Sequence, residues 1–230
     1  MKKMITILLL VLIIFSMAAC GQSGTDHPET EAVNPDVYDE LIGTVYEVIA
    51  AGEMLESEQE GLFSLGVGLG HLNSDEMLQA AGYAVEDLNG DGIPELVLGM
   101  VDTDIIYTVY TCSEGTPVLV FESFVRNSYS WLGDGKFHYY GSGSAYNAGF
   151  GTFSLPAGGT ELVCSEFRFT DVKPGTDSEI GCYCNSSGSW EIEASEELEM
   201  SPEELWNLDA EAREQIKSIP YTSFSNVKSE

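Results

Sequence analysis

Along the chain after residue 35, apolar residues recur first at helical spacing and then at strand spacing. Helical spacing over residues 36–51, with Asp36 as a cap, predicts an amphipathic helix. A second helix is predicted over residues 74–81, with Gly82 as its stop. Glycines interrupt the apolar stretch at residues 61–70, and its pattern predicts no element.

From residue 96 onward, short runs rich in Val, Ile, Tyr and Phe follow one another. Turn pairs such as Asp134-Gly135 and Pro174-Gly175 separate many of these runs. Too little chain lies between them for crossover helices, so the pattern predicts an antiparallel, meandering sheet. The predicted strands cover residues 96–101, 105–112, 118–125, 136–140, 150–155, 161–170, 180–184 and 190–194.

The strand-rich region is followed by one more helical signal. Ser201-Pro202-Glu203-Glu204 opens a helix predicted to reach about residue 217, with proline at the first helical position and acids in the first turn. Helices, then a sheet, then a closing helix predict a single α+β domain over residues 36–230.

The charge balance narrows the possible partners. The 230 residues include 38 Asp and Glu against 9 Lys and Arg, a formal net charge of -29. Such a field repels phosphates, which excludes nucleic acid as a partner, and it attracts divalent cations and basic surfaces.

The first twenty residues have the composition of an export signal. Lys2 and Lys3 precede an apolar run at residues 4–15, which is too short to span a bilayer comfortably. The ending Met17-Ala18-Ala19-Cys20 resembles the lipobox of bacterial lipoproteins. That resemblance implies a signal peptide at residues 1–19 and lipid attachment at Cys20. A plain secretory signal or an uncleaved anchor is the alternative.

Residues 20–35 are small and polar without apolar periodicity, which predicts a flexible tether. The expected location is therefore the extracytoplasmic face of a bacterial cell membrane, where the N-terminal lipid holds the domain.

Residues 87–95, with the sequence DLNGDGIPE, place oxygen ligands at every second position. Alternation lets three side chains converge on one point, and an all-oxygen cage of this kind suits calcium. The predicted calcium ligands are the side chains of Asp87, Asn89, Asp91 and Glu95 and the carbonyl of Ile93. An EF-hand is excluded, because its twelfth position would be Leu98. The alternative is a surface turn that binds no metal.

Residues 87–99 resemble the strand-loop-strand calcium loop of FG-GAP and integrin-type repeats. Those families repeat the loop around a propeller, whereas this chain carries it once. The wider order of tether, helices, single loop and Tyr-rich β region resembles uncharacterised cell-surface lipoproteins of Gram-positive bacteria. This second resemblance implies a location and a loop type, and it implies no activity.

Four cysteines follow Cys20, and an even number in an exported chain favours two disulfides over a metal or catalytic role. The disulfide candidates are Cys112, Cys164, Cys182 and Cys184. Three connectivities are open. If the turn at residues 174–175 joins adjacent strands, Cys164 is expected near Cys182 or Cys184. A zinc site is the alternative.

A glycine-rich stretch at residues 141–151 is interpreted as a binding loop for a sugar or peptide. The candidate ligand-binding residues are Tyr139, Tyr140, Tyr146 and Asn147. The alternative is a plain connection whose aromatic residues pack into the sheet.

Function follows from these signals only in outline. The sequence predicts a lipid-anchored, calcium-binding module that binds a carbohydrate or protein and performs no chemistry. The alternative function is a cell-envelope hydrolase that uses acidic residues near Tyr146 and His138.

Overall fold

Antiparallel strands form most of the protein, which is described here by a computed structural model covering residues 35–54, 59–124 and 126–227. The predicted signal peptide, Cys20 and residues 21–34 of the tether lie outside the described residues. The helices are α1 Asp39–Ala51, α2 Phe63–Leu69, α3 Ser74–Ala80 and α4 Pro202–Arg213. The strands are β1 Ala81–Glu86, β2 Glu95–Met100, β3 Ile106–Ser113, β4 Thr116–Glu122, β5 Asn127–Gly133, β6 Lys136–Ser142, β7 Ala148–Ser154, β8 Val163–Val172, β9 Ile180–Asn185, β10 Glu196–Leu198 and β11 Thr222–Ser223.

All eleven described strands belong to one sheet. Its order is β10-β9-β8-β7-β6-β5-β3-β2-β1-β11, and β4 pairs with β3 outside this path. Each pairing is antiparallel, and successive strands are neighbours through most of the order. The predicted α+β class, with early helices, a meandering sheet and a closing helix, is confirmed.

The sheet divides at β3. Residues 108–113 of β3 pair with β4, whereas the first residue of β3, Ile106, pairs with Tyr129 of β5. The predicted turn at Asp134-Gly135 joins β5 to β6 with φ values of 50° and 67°, which are typical of a tight hairpin turn.

Helices cover two separate parts of the sheet. Helices α1 to α3 pack on one face of β2 and β3, where Leu96 and Leu98 are fully buried. Val97 points to the opposite face and packs against Phe137 of β6, so β2 is buried on both sides. Helix α4 covers the far half of the sheet, where Leu205 packs against Phe150.

Several local predictions were wrong. Tyr38 is the N-cap of α1, and no side-chain cap bond forms there, so Asp36 is not the cap. A capping box between Asn73 and Glu76 begins α3. Gly82 lies inside β1 and does not stop the helix.

The sequence pattern also failed to predict several helices and strands that the structure contains. Strands β1, β5 and β11 were not predicted, and α2 occupies the glycine-broken stretch for which no element was predicted. The predicted strand at residues 190–194 is a coil followed by a 3₁₀ helix, Ile192–Ala194, and the strand itself comes afterwards as β10.

Candidate functional site

The candidate calcium loop connects two neighbouring strands at one end of the sheet. Strands β1 and β2 pair along six residues, and the pair nearest the loop is Glu86 with Glu95. Residues 87–94 therefore close a strand-loop-strand unit. This geometry brings both ends of the predicted ligand set to the same place.

The Asp87 carboxylate organises the first half of this loop. Its Oδ1 accepts hydrogen bonds from the backbone N–H of Gly90 at 2.8 Å and of Asp91 at 3.2 Å. Its Oδ2 accepts a third from the N–H of Gly92 at 3.0 Å. Both glycines have positive φ, 77° and 85°, which side-chain-bearing residues adopt at a cost.

The Asp91 carboxylate joins the loop to a distant segment. Its Oδ1 accepts from the N–H of Ile93 at 2.7 Å, and its Oδ2 accepts from the N–H of Gly158 at 2.7 Å. The Asn89 side chain also donates to Asp91 Oδ2 at 3.1 Å. Asp91 therefore forms hydrogen bonds both within its own loop and to the connection between β7 and β8.

A second attachment involves the β5–β6 turn. The N–H of Gly135 donates to the carbonyl of Leu88 at 2.7 Å. A Cβ atom added at Gly135 would lie 2.8 Å from Asn89 Cβ and 2.9 Å from the carbonyl oxygen of Leu155. Only glycine fits this close approach, so three connections meet at the candidate site.

Glu95 differs from the other acids because its side chain is fully buried. Its Oε2 accepts from the N–H of Leu88 at 2.9 Å, and its Oε1 accepts from the Thr111 hydroxyl at 3.2 Å. The pKa of Glu95 is raised from 4.5 to about 7. Burial is the largest cause, the nearby Asp91 and Asp87 carboxylates add to it, and the hydrogen bonds from Leu88 and Thr111 act in the opposite direction.

The donor chemistry of the loop fits a hard cation. All predicted ligand atoms are oxygens, and none of the ion pairs among the described residues involves Asp87, Asp91 or Glu95. Within the same residues, no three His, Cys, Asp or Glu side chains are grouped closely enough to hold a metal. The carboxylates use their oxygens for N–H and hydroxyl groups, although each oxygen can accept a second partner.

The predicted ligand-binding residues do not share a surface. Tyr139 is buried and donates to Asn127 Oδ1 at 3.1 Å, whereas Tyr140, its neighbour on β6, faces the other side of the sheet against Trp206. Tyr146 is exposed. Asn147 donates to Asp171 Oδ2 at 2.8 Å. The two tyrosines of β6 therefore contact other aromatic side chains of the fold, on opposite faces of the sheet.

The expected disulfides are not formed in this structure, and they stay a prediction. The described cysteines that were predicted to pair are all free thiols: Cys112, Cys164, Cys182 and Cys184. The turn at residues 174–175 does join β8 to β9, but the register places Thr170 opposite Cys182 and Arg168 opposite Cys184. Cys164 lies four residues further along β8, roughly 13 Å away at about 3.3 Å per residue. A disulfide needs Cα atoms within about 7 Å.

A buried cluster of polar side chains connects α4 to the sheet, and the sequence analysis named only one of its members, His138. His138 on β6 places its Nε2 2.8 Å from Asp209 Oδ1, and Arg213 Nε donates to Asp209 Oδ2 at 2.8 Å. His138 and Asp209 are only 3% and 7% exposed. Burial raises the pKa of the Asp209 carboxyl, but the bond to His138 and the Arg213 guanidinium outweigh it and hold that pKa below its ordinary value.

This group gives no support to the hydrolase alternative. A cavity of about 200 Å³ lies beside His138, and Glu166 is part of its wall. Both oxygens of Asp209 already have partners, and Glu166 is paired with Arg168. Both carboxylates are therefore already paired within the described residues. The spacing of Asp209 and Arg213 by four residues is the only sequence signal that pointed to this group.

Across the parts of the chain that the structure describes, no helix has both the length and the apolar character needed to cross a bilayer.

Comparison with protein-family models, curated proteins and solved structures found no match to this chain.

Proposed function

We propose that this chain is a calcium-stabilised binding module, held by a lipid at Cys20 on the extracytoplasmic face of a bacterial membrane. One observation carries the calcium part of the proposal. Three carboxylates, those of Asp87, Asp91 and Glu95, lie around one loop, and none of them is ion-paired within the described residues. In this structure they are not grouped closely enough to hold a metal, so a bound cation would have to draw them together, and it would offset the repulsion between them.

The loop is placed so that ion binding affects the whole sheet. Asp91 bonds to Gly158, and the Leu88 carbonyl bonds to Gly135, so the loop is attached to two further connections. An ion that orders residues 87–95 would also hold the ends of β5 to β8 against β1 and β2. Calcium in this role is structural, and the ligand of the module is bound elsewhere.

Thermal unfolding tests the calcium site. Extracellular calcium sites have dissociation constants on the order of 10⁻⁴ to 10⁻³ M, and calcium at about a hundred times that value adds about 2.7 kcal/mol of stability. For a domain of this size we expect the melting temperature to rise by about 5–10 °C over the value in chelator. Asp91→Ala should abolish most of that rise, because it removes a central ligand and leaves Gly92 in place.

Asp177→Ala is the matched control, since Asp177 is an exposed acid in the β8–β9 turn, away from the loop. It should keep the full rise, and magnesium should produce a smaller one. Equal melting temperatures of the wild type in calcium and in chelator would reject the metal site in favour of the surface-turn alternative.

Lipid attachment has its own test. Cys20→Ala should eliminate labelling by a fatty-acid probe and leave the chain either released or with an uncut signal, because the acceptor thiol is gone. Two or more acyl chains are needed for stable anchoring. Cys184→Ala serves as the control, and it should be labelled normally. Normal labelling of Cys20→Ala would contradict the anchor.

A further inference from the structure

An apolar cavity opens where the sheet divides at β3. Its volume is about 300 Å³. The wall comes from α2, the start of β3 and the residue before it, the segment that follows β4, and the start of β5. The principal lining residues are Ser64, Val67, Ile105, Tyr107, Phe124 and Asn127.

Exposed apolar side chains concentrate around this cavity. Six large hydrophobic side chains are exposed among the described residues, and four of them belong here: Phe63 at 50%, Val67 at 39%, Ile105 at 40% and Phe124 at 53%. Phe63 and Phe124 stack with their ring centroids 6.3 Å apart and their planes at 11°. Such a concentration on one side of an otherwise acidic protein marks a binding surface.

The buried hydroxyl of Ser64 is a second feature of this cavity, independent of the exposed apolar side chains. This cavity-lining residue is 4% exposed, and its hydroxyl has no hydrogen-bond partner among the described residues. Its backbone N–H donates to Glu122 Oε1 at 2.7 Å, which fixes the residue in place. A buried hydroxyl without a partner is costly, and a ligand that bonds to it removes the cost.

The wall also restricts the charge of a ligand. None of the residues lining the cavity is Asp, Glu, Lys, Arg or His. A charged ligand would lose its hydration and gain no counter-ion, and an anion would also be repelled by the net charge of -29. Neutral hydrogen-bonding groups and aromatic faces are what the wall offers.

We propose that this cavity binds a small neutral molecule built on one aromatic ring or two fused rings, with one group that hydrogen-bonds to Ser64. A cavity of about 150 Å³ is enough for benzene, so this volume accommodates a bicyclic molecule. The site is separate from residues 87–95, and its test does not depend on calcium.

Indole and indene are the probes, because they have the same shape and only indole carries an N–H. Titrations of the full chain, followed by calorimetry and by amide chemical shifts of Val67 and Ile105, should show indole binding more tightly than indene. In Ser64→Ala the affinity for indole should fall about tenfold while the affinity for indene stays the same, because only indole loses a hydrogen bond. The melting temperature of this variant should not fall, since a hydroxyl without a partner is removed.

A cavity-filling pair completes the test. Val67→Phe should abolish binding of both probes, whereas Val163→Phe, at an exposed valine on β8, should leave binding unchanged. Equal indole affinity in the wild type and Ser64→Ala, or equal loss in both phenylalanine variants, would overturn the proposal.

Two further results would assign the cavity to another occupant and thereby overturn the proposal. One is a wild-type dimer that binds indole only after dilution to monomer, which indicates a second copy. The other is binding of N-acetyltryptophanamide at least tenfold tighter than indole, which indicates the aromatic side chain of a protein partner.

Discussion

Asp209→Leu is expected to lower the free energy of unfolding by about 3 kcal/mol, because it leaves a buried histidine without its partner. One carboxylate oxygen of Asp209 is hydrogen-bonded to His138, and the other accepts a hydrogen bond from Arg213. The side chain of Arg213 is half exposed, so it can hydrogen-bond to water instead. The loss of stability therefore comes mainly from His138, which is buried and stacks on Phe150. Denaturant unfolding of both proteins at pH 7 measures the difference.

A second substitution separates a lost partner from lost packing. His138→Leu combined with Asp209→Leu removes both polar groups, and apolar replacements of a buried pair are often neutral. The double variant should therefore recover most of the stability. Glu211→Ala removes an exposed acid from the same helix and should change stability by less than about 0.5 kcal/mol. Equal losses in the single and double variants would show that Asp209 contributes through packing alone.

Glu95→Gln is expected to stabilise the calcium-free protein by roughly 3 kcal/mol at pH 8, with little effect at pH 4. Burial moves the pKa of Glu95 from an ordinary 4.5 to about 7. Between these values the folded protein keeps a proton that the unfolded chain has released, so stability falls as the pH rises from 4.5 to 7. Glutamine carries no charge, and it can still accept from the N–H of Leu88 and donate to Thr111.

Unfolding free energies of both proteins in chelator, measured from pH 4 to pH 8, provide the test. The difference between them isolates Glu95 from the other acids. Glu86→Gln is the control, because Glu86 is the exposed residue directly opposite Glu95 in the β1–β2 pairing, and it should follow the wild-type curve. Calcium should weaken the pH dependence of the wild-type unfolding free energy, because a bound cation favours the ionised carboxylate of Glu95. A constant difference between the wild type and Glu95→Gln across the range would contradict the assignment.

Local signals predicted the fold class, and they identified residues 87–95 as the candidate calcium loop. Alternating apolar residues and turn pairs located most strands, because they report backbone conformation over a few residues. They failed at α2, where Gly68 opposes helix formation. A Cβ there would lie 2.8 Å from the Tyr107 hydroxyl, so tertiary packing requires the glycine and outweighs its poor helix propensity. They also failed at β10, whose exposed glutamates resemble a solvated loop.

The spacing of oxygen-bearing side chains at residues 87–95, the charge of -29 and the basic and apolar pattern of the first twenty residues are properties of the sequence by itself. The succession of early helices, a strand-rich region and a closing helix is another. Only the tertiary structure decided that Glu95 is buried against Thr111, that His138 meets Asp209 across 71 positions, and that Cys164 is out of reach of Cys182. The same is true of the cavity beside Ser64. These contacts join residues far apart in the chain, so they depend on strand order and register, which local periodicity does not encode.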